Sequence, residues 1–221
     1  MSRPAQIAFL SRWARAYDPV VRWMGFVPLW AAVAEVAAPR AGEWALDVCT
    51  GTGGVALELA RRGARVVGVD LAEGMVRHAH RKRKANGSER PARSLPGAPH
   101  PSPTFFKMDA RHLGFADRAF SLITCTMALH EMAESERGQV LREIVRVARG
   151  RVVLAEYRVP RHRLKGALFR MTRAFEYVES DDFAHFVRHD VGDRLARAGL
   201  RVGTPRDVGG YRIWPCHVGD R

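Results

Sequence analysis

Residues 44–71, WALDVCTGTGGVALELARRGARVVGVDL, decide how the rest of the chain is read. Trp44-Ala45-Leu46-Asp47-Val48 is too short for a helix and mostly apolar, as a buried parallel strand is. In Gly51-Thr52-Gly53-Gly54 the absence of Cβ atoms lets a backbone approach a ligand closely. Val55, Leu57, Leu59 and Ala60 then belong to a helix that stops at the basic pair and glycine Arg61-Arg62-Gly63. Arg65 to Val69 forms a second apolar strand, with Asp70 at its carboxyl end. Open α/β sheets bind ligands just outside the carboxyl ends of their strands. An acid at that point suits the two hydroxyls of a ribose. The stretch predicts a nucleoside-binding βαβ unit.

Which nucleoside it takes is a matter of the surrounding acids. Gly51-x-Gly53-x-x-Ala56 also satisfies the dinucleotide fingerprint, which keeps a nicotinamide-dependent oxidoreductase as an alternative reading. Asp47, however, stands four residues before the first glycine, where a dinucleotide-binding strand keeps an apolar residue. A third acid, Asp109, follows another short apolar strand, Thr104 to Met108. Three acids at three strand tips suit a ligand with an ammonium group, a ribose and an adenine amine. S-adenosylmethionine carries all three.

The motifs also resemble a known family. Residues 46–54, LDVCTGTGG, resemble the first motif of class I S-adenosylmethionine-dependent methyltransferases. Residues 66–79, VVGVDLAEGMVRHA, resemble the second, and residues 109–124, DARHLGFADRAFSLIT, the third and fourth. The ubiquinone/menaquinone-biosynthesis subgroup is the most similar, since a small residue such as Cys49 often replaces its first motif glycine. The resemblance spans about Asp47 to Pro160, with Gly114 in place of the usual proline and Ser121 in place of the usual aspartate.

This resemblance implies a Rossmann-like α/β sheet of seven strands, the last antiparallel. It also implies a helical cap over residues 1–40, a cofactor-binding core over 41–160, a helical lid over 161–199 and a C-terminal strand pair over 200–221. The cofactor would be S-adenosylmethionine, met by Asp47, Cys49, Thr50, Gly51, Thr52 and Gly53. Asp70 would hold the ribose, with Leu71 and Met75 beside it. Asp109 and Ala110 would read the adenine, Thr126 would line the pocket, and Tyr17 would close over cofactor or acceptor.

The chain has 221 residues, 47% hydrophobic and 27% charged, which is ordinary for one globular α/β domain with a small cap. Its formal net charge of +13 is not ordinary. Only Lys82, Lys84, Lys107 and Lys165 are lysines, so 32 of the 36 basic residues are arginine. They are scattered rather than gathered, which favours a compositional bias over a nucleic-acid partner. An RNA methyltransferase stays as an alternative, without an Asn/Asp-Pro-Pro-Tyr/Phe signature to support it. So does a non-catalytic cofactor-binding protein. Three distant cysteines form neither a disulfide framework nor a metal pattern, and fit a reducing cytoplasm. The amino end shows no signal-peptide pattern, and its apolar run, Val27 to Ala38, is too short to span a bilayer. Two helices are expected there, around residues 7–17 and 28–36, with peripheral membrane contact left open.

Downstream, a helix over 72–86 precedes Gly87 to Pro103, whose five prolines predict an exposed loop. The fourth strand, 121–126, leads into Met127-Ala128-Leu129-His130-Glu131-Met132, where the resemblance places the methyl acceptor. His130 is the first candidate base, since imidazole takes up a proton near neutral pH; a structural histidine is the alternative. A helix over 134–148 precedes a fifth strand, 151–156, ending in Glu156-Tyr157. Glu156, Tyr157 and His185 are the reserve bases. Helices around 164–178 and 183–198 carry the aromatics of a lid, over an acceptor expected to be small and aromatic or apolar. No ligand spacing for a metal accompanies His130-Glu131 or the His185/His189 pair.

Overall fold

The computed structural model describes Ala8, Ser11, Arg12, Asp18 and residues 26–87, 102–158 and 181–219. The expected loop at 87–103 falls almost wholly outside them, as do Tyr17 and the expected helix at 164–178. Along the described chain run α1 (Phe26–Ala37), β1 (Trp44–Val48), α2 (Gly54–Arg61), β2 (Arg65–Asp70), α3 (Glu73–Gly87), β3 (Thr104–Lys107) and β4 (Phe120–Thr126). There follow a 3-10 turn at Leu129–Glu131, α4 (Glu134–Val147), β5 (Ala148–Tyr157), α5 (Asp181–Phe186) and α6 (Val191–Arg197). Three strands end the chain: β6 (Leu200–Val202), β7 (Arg206–Val208) and β8 (Tyr211–Val218).

All eight strands join one sheet in the order β3-β2-β1-β4-β5-β8-β6, with β7 also paired to β8. β1 to β5 run parallel, and β8 enters antiparallel against β5 with Leu154 opposite Trp214. The short apolar strands fit this arrangement because helices cover both faces and leave no room for alternation. On one face Leu29 and Val33 of α1, Val55 and Leu59 of α2, and Val76 and Ala79 of α3 pack on Ala45, Val66, Val153 and Ile213. On the other, Leu141 and Ile144 of α4 and Leu195 of α6 pack on Leu46, Ile123, Leu154 and Trp214. The chain order reverses between β1 and β4, and the crevice at their carboxyl ends is where such a sheet takes its ligand.

Two expectations need correction at the carboxyl end. Residues 200–207 do not form one strand: β6 and β7 are separate pieces, both paired to β8. Gly203 bonds the Pro215 carbonyl instead, at 2.7 Å, and Pro205 has no N–H to continue a ladder. The antiparallel strand therefore lies inside the sheet, between β5 and β6, rather than at its rim. Likewise the expected helix over 183–198 is two helices, because Asp190 turns extended and caps α6 by accepting from the Asp193 amide.

Candidate functional site

The glycine-rich turn is held from below by Asp47. This residue is 2% exposed and sits on the same face of β1 as Ala45. Its Oδ2 accepts from the Thr50 hydroxyl at 2.6 Å and its Oδ1 from the Thr124 hydroxyl at 2.7 Å. Burial pushes the carboxyl up to about 6, against the two hydroxyls and the Ala56 amide, which favour the ionised form. Above the carboxylate the backbone takes left-handed conformations at Cys49 (φ 55°), Gly51 (φ 54°) and Gly53 (φ 78°). A side chain at Gly51 would meet nothing within 4 Å among the described residues, so the turn stands clear of them on its ligand side.

Asp70 closes the opposite wall. Its Oδ2 accepts from the Gly51 amide and its Oδ1 from the Ala72 amide, each at 2.8 Å. Burial raises its carboxyl above the usual range, partly offset by amide bonds from Ala72, Gly51 and Leu71. A carboxylate has about four acceptor positions, so beyond these amides it keeps capacity for a ligand hydroxyl. Leu71 is half-buried and Met75 buried beside it. Asp109 reaches the same end of the sheet after β3, with Ala110 buried next to it. The Arg111 guanidinium clamps the Asp109 carboxylate, with Nη2 to Oδ2 at 2.6 Å and Nε within 3.0 Å of both oxygens. Arg111 Nη1 also reaches Glu136 at 3.0 Å, so Asp109 meets a ligand only by sharing or releasing that arginine.

At the tip of β4 the Thr126 hydroxyl is buried without a hydrogen-bond partner among the described residues. Met127 follows with φ 55°, so adjacent strands β1 and β4 both end in a left-handed non-glycine residue. Such strain, about 1–3 kcal/mol per residue, concentrates at binding sites. Cys49 is half-buried and Cys125 buried. The Cys125 thiol beside it, together with burial, pushes the Cys49 thiol well above the ordinary range. A thiol so raised is a poor nucleophile.

His130 and Glu156 form a buried pair. Glu156 is 1% exposed at the end of β5, and its Oε1 accepts from the amides of Ala128 (3.0 Å) and Leu129 (2.7 Å). Its Oε2 lies 2.8 Å from His130 Nδ1. A carboxylate only accepts, so Nδ1 carries a proton and Nε2 of the neutral ring keeps its lone pair. Around the imidazole stand Tyr157 (4.9 Å between centroids), Phe183 (5.9 Å) and Phe186 (6.1 Å), all edge-on. Tyr157 also stacks on Tyr211. His185 is not gathered with this group. It faces outward, 3.4 Å from Glu134 and 3.5 Å from Arg137, which is itself fully buried and bonded to the Leu129 carbonyl. Among the described residues no group of three His, Cys, Asp or Glu side chains is placed to hold a metal.

Comparison with known proteins agrees with this geometry. The model of the family described as "Methyltransferase domain" matches residues 45–150, from β1 to the start of β5. The demethylmenaquinone methyltransferase of Clavibacter sepedonicus is 32% identical over 149 residues, 66% of this chain and 54% of that protein. A crystal structure of an S-adenosylmethionine-dependent methyltransferase from Aquifex aeolicus superposes with a TM-score of 0.61 at 19% identity, covering 99% of this chain and all of that one. Over residues 45–150 the chain carries a methyltransferase domain, and its motifs and fold are similar to those of the class I S-adenosylmethionine-dependent methyltransferases. A further structure, the magnesium protoporphyrin IX methyltransferase of Synechocystis with bound S-adenosylhomocysteine, has a TM-score of 0.60 at 19% identity. It covers 99% of this chain and 89% of that one. The chain spans about half the length of the curated relatives it matches.

The chain's own residues fit S-adenosylmethionine as the cofactor. The cleft offers acids to a ligand bearing positive charge, a turn open on its ligand side, and in Thr126 a buried hydroxyl that awaits a partner. Four participants were not legible in the sequence: Thr124, Arg111, Arg137 and Asp18. Thr124 and Arg137 act through strand register and helix packing. Asp18 was adjacent to a residue already singled out, Tyr17, but its partners lie 34 to 64 positions away.

Proposed function

We propose that this methyltransferase moves the methyl group of S-adenosylmethionine to a small aromatic acceptor of the quinol or phenol type. The observation that carries the reading is the Glu156–His130 pair, walled by aromatic rings where β4 and β5 end. Bound in the cleft, the cofactor supplies a methyl group already activated by its positive sulfur. What the protein must add is alignment and a home for one proton. A hydroxyl of the acceptor would give its proton to His130 Nε2, while Glu156 steadies the imidazolium through Nδ1. The acceptor's electron pair would form the new bond to the methyl carbon as the carbon–sulfur bond breaks toward sulfur. Tyr157, Phe183 and Phe186 would pack on the acceptor's ring. The relatives named for demethylmenaquinone, and one for 2-phytyl-1,4-naphthoquinone, support a quinol.

On the cofactor side, Asp70 would grip the two ribose hydroxyls and Asp109 the adenine amine, with the Ala110 amide on a ring nitrogen. Gly51, Gly53, Cys49, Thr50, Thr52, Leu71, Met75 and Thr126 would line the cleft, and Tyr17 would close over it. Asp47 orients the turn and would attract the ammonium of the methionine end.

The Asp47 role has a pH consequence. Its folded pKa is raised to about 6, so its ionisation opposes folding and is disfavoured in the empty cleft. A cation favours the ionised form, so binding below that pKa must expel a proton. S-adenosylmethionine affinity is expected to rise about fivefold from pH 5 to pH 6 and to level off above pH 7. Calorimetry in buffers of different ionisation enthalpy would read the released proton at pH 5.5. A flat profile without proton release would remove Asp47 from the ammonium.

The reading itself is tested with methyl-labelled S-adenosylmethionine and separate 1,4-naphthoquinols, simple phenols and RNA. Label is expected in a quinol or phenol and not in RNA. Label in RNA alone would overturn the acceptor class.

A further inference from the structure

Behind the glycine-rich turn, the segment carrying Asp18, the turn itself and α3 meet at one carboxylate. Thr52, 2% exposed and lying between the left-handed Gly51 and Gly53, donates from Oγ1 to Asp18 Oδ1 at 2.5 Å. Asp18 Oδ2 lies 2.9 Å from Lys82 Nζ and 3.3 Å from His78 Nε2, both on α3. Lys82 also donates to Thr52 Oγ1 at 3.5 Å and stands 4.7 Å from the centre of the Trp30 ring of α1. That ring lies where a side chain at Gly54 would go: a Cβ there would stand 2.4 Å from it. The carboxylate thus ties the turn after β1 to the helix after β2. The turn is one wall of the cofactor cleft, and α3 follows directly on Asp70, which closes the other.

A second contact runs along the same face of α3. The Gly74 amide donates to Ser11 Oγ at 3.3 Å, and a Cβ at Gly74 would lie 2.1 Å from the Ser11 carbonyl oxygen. Gly74, His78 and Lys82 are spaced by four, which puts them in one row on the helix. Ser11 and Asp18 both lie against that row. Burial alone would raise the Asp18 carboxyl, but the Thr52 hydroxyl, Lys82 and His78 outweigh it and hold it below the usual range.

We propose that Asp18 is a positioning residue for cofactor binding: through Thr52 it holds the glycine-rich turn in its ligand-ready shape, with Lys82 and His78 fixing the carboxylate. It acts through the turn and need not touch the cofactor. Without the carboxylate, two basic side chains would face the Thr52 hydroxyl and the amino end of α2, whose dipole is already positive. The turn would lose its outer anchor while Asp47 and Asp70 kept the inner ones. This rests on the assignment of the cleft to S-adenosylmethionine.

The test is calorimetric titration of S-adenosylhomocysteine into the full chain as wild type, Asp18→Asn, Thr52→Val and the double variant. Wild type is expected to bind, and each single variant to bind about tenfold more weakly. The double variant should be no worse than the poorer single one, because both break the same link. Steady-state rates of Asp18→Asn should show the cofactor KM raised about tenfold, with acceptor KM and kcat at saturating cofactor moved less than twofold. Additive losses, unchanged affinity in Asp18→Asn, or an equal loss in acceptor KM would each overturn the positioning role. Failure of wild type to bind would overturn the cofactor assignment as well, so the two failures are distinguishable.

Discussion

Glu156→Gln is expected to lower kcat about a thousandfold while leaving cofactor affinity within about twofold, from the usual worth of a positioned general base. The reasoning is geometric. The carboxamide oxygen of that variant would still accept from the Ala128 and Leu129 amides, as Glu156 Oε1 does at 3.0 and 2.7 Å. Its NH2 group would then face His130 Nδ1, which sits 2.8 Å from Oε2 in the parent. Two donors cannot pair, so Nδ1 must accept and the ring proton must move to Nε2. The nitrogen that should take the acceptor's proton would already carry one. His130→Ala removes the base outright and is expected to fall to a similar residual rate. Steady-state kinetics, with a calorimetric Kd for S-adenosylhomocysteine, checks both. A Glu156→Gln enzyme of normal kcat would show that the imidazole does not act as a base.

The second large effect belongs to Asp70. Asp70→Ala is expected to weaken S-adenosylhomocysteine binding about a thousandfold. Two hydrogen bonds from ribose hydroxyls to a carboxylate are each worth about 2 kcal/mol, together about 4 kcal/mol. The carboxyl pKa is raised by burial, so in the empty protein its ionisation works against folding as pH rises through that pKa. Asp70→Asn removes that cost but accepts from only one of the two amides, its NH2 facing the other, so the two effects oppose and its Tm at pH 7 is expected to stay close to the parent's. Affinity lost without stability lost would mark a residue kept for its ligand. Full affinity in the alanine variant would contradict the ribose assignment.

What was legible in the sequence was local. β1, the turn, α2 and β2 occupy 27 consecutive residues, and both the short apolar strands and the glycines signal their conformation within a few positions. Asp47, Asp70 and Asp109 could be placed at strand tips because each ends or follows a visible strand. Partnerships that depend on register or packing were not legible. Nothing in the sequence joins His130 to Glu156 until β4 and β5 are set side by side, with Thr126 opposite Ala155. The arginine on Asp109 is only two residues away, yet its pairing is a matter of side-chain direction. Asp190, as a cap that splits a helix, was hidden by an apolar period that continues across the break.

The most direct measurement is the pH profile of single-turnover methyl transfer to a 1,4-naphthoquinol, with saturating S-adenosylmethionine, for wild type and His130→Ala. The wild-type rate is expected to rise with pH as the base loses its proton and then level off. In the variant it should be about a hundredfold or more slower and lack that inflection. Superimposable profiles of equal height would contradict proton transfer to His130, and with it the account of this site.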